Sequence, residues 1–424
     1  MNKLVFTVML LLGSFAMSQD HNLEKDYNAI ESKVIEWRRD IHQNPELSNR
    51  EFKTAEKIAA HLKSLGMEVQ TGVAHTGVVG ILKGNRAGKT VALRADIDAL
   101  PVMERNDLPF KSTVTSEFRG IKVGVMHACG HDTHTAILMG VAEVLSKNKN
   151  KINGTIKFIF QPAEEGAPEG EEGGALMMVK EGVLKNPDVD AIFGLHINSQ
   201  TPAGVIRYTS GGAMAAAQTF TINVKGKQSH GSQPWSGIDP ILISAKIIDG
   251  LQTIISREAN LTNEAAVITV GKITSGVRFN IIPESAEMIG TIRTLDYGMK
   301  DHINRRMEEM VPAIAKTYGG DATIVIQDMT DITYNEPKLV EQMLPTIKRV
   351  AGEPNVQTQK AKTGAEDFSY FQREVPGFFI FLGGMTPGNQ AAFPHHTPDF
   401  KIDESGLLLG VKALTEMSLD YLNM

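Results

Sequence analysis

The chain has 424 residues, a formal net charge of −6 and a single cysteine. That length exceeds one ordinary core, so two domains are expected. The mild acidity leaves no broad basic face for nucleic acid, and one cysteine excludes any disulfide within the chain.

Residues 1–18 carry Lys3, an apolar run from Leu4 to about Ala16, and small Ala16 and Ser18 at cleavage spacing. This pattern predicts a signal peptide and an exported, periplasmic or secreted, product with no membrane span after cleavage. No later stretch approaches the roughly 18 uninterrupted apolar residues of a membrane helix. Apolar periodicity predicts helices over 26–46, ended near Pro45, and over 50–66, with Gly66 at the C-cap. Strands follow at 67–72, 77–84 and 90–98, then a helix at 132–149, a strand at 154–166, a helix at 173–184 and a strand at 189–198. This alternation predicts an α/β fold, a mixed sheet covered by helices on both faces.

From 210 to 328 the pattern becomes strand 217–227, helix 239–258, strands 264–273 and 285–294, helix 299–319 and strand 321–329. The order β-α-β-β-α-β is ferredoxin-like and predicts a domain inserted into a main domain made of residues 22–209 and 329–424.

Polar residues gather where the predicted strands end. Asp96 and Asp98 close one strand, Glu164 and Glu165 another, and His196 a third. Open α/β sheets place their ligand sites at such carboxyl ends. The cysteine, Cys129, lies in MHACGHDTH between His127, His131 and His134. Its spacing from His131 lets a turn aim both at one centre, and Asp132 is placed to cap the following helix. Thiolate and imidazole are ligands for zinc-like ions. On extended chain Glu164 and Glu165 point opposite ways, so that one can hold a metal while the other faces a reacting water. Metal-assisted hydrolysis divides its labour in this way. A further histidine is offered by PHHTPDF near the C-terminus, where His395 and His396 both stand.

The segments LRADIDALP, MHACGHDTH, QPAEEG, GLH, GKQSHGSQPWSGIDP, RFNIIPESAEMIGTIR, GAEDFSYF and HTPDF resemble, in order and spacing, the metallo-amidohydrolase family of aminoacylases and hippurate hydrolases. The resemblance spans nearly the whole chain after the leader. It implies a two-domain metallopeptidase-like fold and hydrolysis of the amide bond of N-acyl-L-amino acids. It further implies two divalent ions, zinc or manganese, held by Cys129, His131, Glu165, His196 and His396, the last chosen over His395 because it fits HxPxF. Glu164 is then the general base, and Asp98 orients a ligand from behind. His230 stabilises the oxyanion from its own or a partner subunit, and Asn280 and Arg293 bind the amino-acid part of the substrate. A planar fork such as that of Arg293 suits a carboxylate. The inserted domain is expected to act as lid and dimerisation module, giving a homodimer or higher homo-oligomer. Cys129 stands where the wider family usually has a bridging aspartate, which leaves the metal open.

An exported dipeptidase or metallocarboxypeptidase differs only in pocket lining. A thiol amidase using Cys129 as nucleophile leaves Glu164, Glu165, His196 and His396 without a role. A silent binding protein has no use for Glu164.

Overall fold

The computed structural model describes residues 21–388 and 393–424; the predicted signal peptide lies outside them. No helix of the described residues is long and apolar enough to cross a membrane. The chain runs α1 (Glu24–Gln43), α2 (Phe52–Ser64), β1 (Glu68–Val73), β2 (Gly77–Lys83), β3 (Arg86–Asp96), β4 (Thr115–Phe118), β5 (Ile121–Gly124), α3 (His131–Lys147), β6 (Asn153–Gln161), α4 (Gly174–Lys180), β7 (Ala191–Pro202), β8 (Ile206–Tyr208) and β9 (Gly211–Met214). It continues through β10 (Ala216–Lys225), β11 (Ser229–His230), α5 (Pro240–Thr253), β12 (Ala266–Ser275), β13 (Ile281–Ile282), β14 (Ser285–Thr294), α6 (Tyr297–Thr317) and β15 (Asp321–Thr330). The last elements are β16 (Thr333–Asn335), α7 (Pro337–Ala351), β17 (Val356–Thr358), α8 (Ser369–Gln372), β18 (Gly377–Met385) and α9 (Leu407–Leu422).

Eight strands form one mixed sheet in the order β1-β2-β6-β3-β7-β18-β8-β17. Its centre, β6-β3-β7-β18, is parallel, and β1, β2 and β8 are paired antiparallel. Side chains alternate across this sheet as a period of two requires. Val91, Leu93 and Ala95 of β3 and Ile156, Phe158 and Phe160 of β6 enter the core shared with α1, α3, α7 and α9. Ala92 and Ile159 enter the opposite core with Ala175, Met178, Phe368 and Phe371 from α4 and the α8 region. Arg94 and Asp96 belong to this second register, which sends a charged pair into the layer where α4 and α8 pack.

The four-stranded antiparallel sheet β12-β14-β10-β15 carries α5 and α6 on one face around a separate core. Its order is that of a ferredoxin-like unit, as the strand and helix pattern of 217–329 predicts. The hairpin β4–β5 carried no sequence signal, because its strands of four residues are largely exposed and lack alternation.

Two local expectations are corrected. The strand predicted over 154–166 stops at Gln161, and Glu164 and Glu165 lie in a turn entered through Ala163 at φ 51. Extended-chain alternation therefore does not govern this pair. Asp132 does not cap α3, whose N-cap is Gly130 with no side-chain cap. Helix begins at His131, so the Asp132 side chain turns inward and accepts from Arg38 Nε at 2.7 Å and His42 Nδ1 at 2.9 Å.

Candidate active site

Strands β3 and β6 end in register, Asp96 opposite Gln161, whereas His196, expected at a strand end, lies within β7 opposite Phe381 of β18 because that strand runs on to Pro202. The turns that leave these ends meet the start of α3 in a cavity of about 930 Å³. Gly130, at φ 100, makes the turn between Cys129 and α3, and a Cβ there would strike Ile197.

His131 Nδ1 donates to the Asp98 carbonyl at 2.9 Å and lies 3.1 Å from Asp98 Oδ1, which leaves Nε2 facing the glutamate pair. That Nε2 lies 3.7 Å from Glu164 Oε2 and 3.9 Å from Glu165 Oε1. Asp98 is itself anchored, accepting from Ser48 Oγ at 2.7 Å and from the Glu165 amide at 3.1 Å. His196 Nδ1 donates to the Ile197 carbonyl at 2.6 Å, so its Nε2 stands 3.4 Å from Cys129 Sγ. His396, in the left-handed region at φ 62, places Nε2 3.2 Å from Cys129 Sγ and 3.1 Å from Glu165 Oε1. His395 is held differently: Nδ1 is 3.1 Å from the Cys129 carbonyl and Nε2 accepts from the Ser199 amide at 3.3 Å.

Cys129, His131 and His196 thus converge, as do Cys129, Glu165 and His396, and His131, Glu164 and Glu165. The two glutamates converge because the turn, not an alternating strand, carries them. Within this cluster His131 Nε2 is buried without a hydrogen-bond partner, and Glu165 Oε1, also buried, meets only the His396 ring at 3.1 Å. Buried polar atoms are ordinarily satisfied, and a divalent ion would satisfy the His131 ring nitrogen here. Thiol, imidazole and carboxylate in one place form a donor set suited to zinc or manganese.

The electrostatics agree. Burial, with Glu165, Glu164 and Asp96 nearby, pushes the Cys129 thiol well up, so a thiolate there calls for a cation beside it. Burial and the charges of Glu366, Glu165, Asp367 and Asp96 push Glu164 well above the usual carboxylate range. Burial opposes charge on His131, but Asp96 and Asp98 outweigh it and push the imidazole up to about 10. Burial drives His196 well down, keeping it neutral with a lone pair on Nε2.

Sequence reasoning missed the layer beneath. Arg94, fully buried, donates from Nη1 to Asp96 Oδ2 at 2.7 Å, from Nη2 to Glu366 Oε1 at 2.9 Å and Asp367 Oδ1 at 3.0 Å, and from Nε to Gln161 Oε1 at 2.7 Å. Glu366 and Asp367 reach Glu164 from this side. The available signal was an arginine inside an apolar strand, which requires buried acidic partners. His134 continues the layer, with Nδ1 2.6 Å from Asp96 Oδ1 and Nε2 accepting from the Ile197 amide at 2.8 Å.

Arg293, at the end of β14 in the inserted sheet, lines the same cavity. Among the described residues no carboxylate lies within 4.0 Å of its guanidinium, and burial lowers its pKa. Lys362 also lines the cavity; burial, chiefly, and then Arg207 push it down to about 8. The structure does not bring His230 and Asn280 to this cavity. They lie together on an exposed edge of the inserted unit, where the Gly231 amide donates to the Asn280 carbonyl at 2.9 Å and Ser232 Oγ is 2.7 Å from His230 Nδ1.

A mixed α/β sheet whose strand ends gather Cys, His and Glu donors around two acidic side chains defines a metal-dependent amide hydrolase. Residues 92–420 match peptidase family M20/M25/M40, and the chain belongs to that family. It is 42% identical over 403 residues to thermostable carboxypeptidase 2 of Saccharolobus solfataricus, covering 95% of this chain and 98% of that one. It is 36% identical over 393 residues to the N-acetylcysteine deacetylase of Bacillus subtilis, covering 92% and 97%. The crystal structure of the Bacillus subtilis YXEP protein, described as a dinuclear metal binding peptidase, superposes with a TM-score of 0.78 at 34% identity, covering 93% and 99%.

Proposed function

We propose that this amide hydrolase acts on N-acyl-L-amino acids. The observation that carries this reading is Arg293, a cavity-lining guanidinium with no carboxylate partner among the described residues, facing the space that also holds Glu164 and Cys129. A free α-carboxylate on the leaving side of the amide supplies the missing anion, and the planar fork can bind both its oxygens.

Cys129, His131, Glu165, His196 and His396 would hold two divalent ions. When bound, these supply the positive charge that acidifies water and polarises a carbonyl. The Glu164 carboxylate, raised by burial and by Glu366, Glu165 and Asp367, is basic enough to take the water's proton and later deliver it to the leaving amine. Asp98 fixes the His131 ring through Nδ1, and Arg94 holds Asp96, Glu366 and Asp367 in place beneath Glu164.

A second reading is release of the C-terminal residue of a peptide, favoured by the 42% identity to a protein named carboxypeptidase. Both readings share the α-carboxylate and Arg293 and differ in the acyl side. Export through the leader and self-association through the inserted unit belong to the same proposal. Trp235, Val277 and Phe279 are exposed on the chain segments that carry His230 and Asn280, and a second copy covering them is the self-association proposed.

A hydrolysis panel decides the substrate: N-acetyl, N-benzoyl and indole-acetyl amino acids beside dipeptides, with enzyme reconstituted separately with zinc and with manganese. N-acyl amino acids should be the better substrates, and Arg293→Ala should raise KM most for those with a free carboxylate. Exclusive turnover of peptides would replace the first reading by the second.

A further inference from the structure

The second cation of the cavity, Lys362, has no role in the chemistry above. Its backbone is fixed, with the Lys362 amide donating to the Ala213 carbonyl at 3.0 Å and the Ala215 amide donating to the Lys362 carbonyl at 3.1 Å. Its Nζ rests 4.3 Å from the centre of the Phe381 ring, which limits the directions in which it can swing. The side chain lines the cavity on the wall shared with Phe381, Asn198 and His395, whereas Arg293 comes from the inserted sheet. Among the described residues no carboxylate lies within 4.0 Å of Nζ, and no hydrogen bond to an acceptor engages it. The charged group nearest in effect is Arg207, of the same sign. Among the described residues Arg207 has no carboxylate within 4.0 Å either, and its side chain donates to Gln357 Oε1 at 3.4 Å.

Two neighbouring cations, one of them half-buried, disfavour each other unless an anion joins them. Cys129 is the anion at hand when ionised, but it stands among His196, His396 and Glu165, where the proposed ions would claim its charge. A carboxylate entering with the substrate meets the remaining requirement.

We propose that Lys362 is a specificity-determining residue that binds a second carboxylate of the substrate, so that the preferred N-acyl amino acid is a dicarboxylate. This rests on the N-acyl-amino-acid reading, in which Arg293 takes the α-carboxylate. The second carboxylate comes either from an acidic amino-acid side chain or from a dicarboxylic acyl group. The cavity wall offers Lys362 the same ion pair in both cases.

The test uses the full chain reconstituted with manganese and two pairs of isosteres, N-acetyl-L-glutamate against N-acetyl-L-glutamine, and N-succinyl-L-leucine against N-succinamoyl-L-leucine. The wild type should prefer the charged member of at least one pair in kcat/KM by about tenfold or more, the scale of one charge-assisted hydrogen bond. The pair that shows the preference identifies the source of the carboxylate. Lys362→Met should erase that ratio, whatever change both members share, and Lys362→Arg should retain most of it. Absence of preference in both wild-type pairs, or a ratio unchanged in Lys362→Met, overturns the proposal; the first comparison needs no variant to fold. Calorimetric binding of glutarate reads the same cation without turnover. It should weaken about tenfold in Lys362→Met, and equal binding overturns the assignment. If none of the four compounds is hydrolysed, the N-acyl-amino-acid reading fails while glutarate binding still decides the role of Lys362.

Discussion

Replacing Arg94 by Met tests whether the buried layer under Glu164 is built on one cation. The guanidinium satisfies Asp96 at 2.7 Å, Glu366 at 2.9 Å and Asp367 at 3.0 Å. Met fills much of the same volume but leaves Glu366 and Asp367 without their cation and Asp96 with only His131 and His134. Removing one member of a buried pair costs about 3–5 kcal/mol, and two acceptors that depend on this one cation place the case within that range. Domain stabilities are about 5–15 kcal/mol, so the variant should be barely folded. At the usual scaling for large domains this corresponds to a fall in Tm of about 10 °C or more. The loss should be larger at pH 8 than at pH 6, because Asp367, raised by burial to about 7 despite Arg94, and Glu366, also raised, can take up protons at the lower pH. Thermal unfolding followed by circular dichroism at both pH values, with the same metal loading, measures this. A Tm within about 3 °C of the wild type at pH 8 would refute the reasoning.

Two further outcomes follow from single contacts. His42 is buried between Asp132 Oδ2 at 2.9 Å and Glu104 Oε1 at 3.2 Å; burial and Arg38 oppose its charge, but the two carboxylates prevail and raise its pKa. Its folded pKa exceeds its unfolded value of about 6.5, so its charge stabilises fully below that pH, and the contribution is lost as pH rises through the folded pKa. The stability gap between wild type and His42→Gln in chemical unfolding should therefore shrink from pH 5.5 to pH 9, and a widening gap would contradict the assignment. Asp98→Ala removes the carboxylate beside His131 Nδ1 while leaving the backbone carbonyl that also accepts from it, and should weaken metal retention by about tenfold in competition with a chelator; unchanged affinity would remove the Asp98 carboxylate from the site.

The sheet was legible because its strands carry uninterrupted apolar runs, and the inserted unit because its elements keep the order of a ferredoxin-like fold. Spacing at the ends of β3 and β6 and before α3 marked residues that the structure brings together: Cys129, Glu164, Glu165 and His196 line one cavity, with His131 and Asp98 buried behind them. The geometry of Glu164 and Glu165 was not legible, since the positive φ of Ala163 turns the chain before the pair and nothing in QPAEEG marks that residue. Asp132 misled because a short acid at a helix start ordinarily caps it, while Arg38 and His42 arrive from α1, about ninety residues earlier in the chain. The partners of Arg94 and the loneliness of Lys362 depend on contacts between distant segments, which local pattern does not encode.

The central claim is the division of roles within the glutamate pair, and metal content measured beside turnover on two isosteric variants tests it most directly. Glu164→Gln keeps the shape but cannot accept a proton; turnover should fall by roughly 10²- to 10⁴-fold while both ions stay bound. Glu165→Gln removes a charged donor that lies 3.1 Å from His396 Nε2 and should lose metal. Loss of metal from the Glu164 variant with full retention in the Glu165 variant would contradict the account.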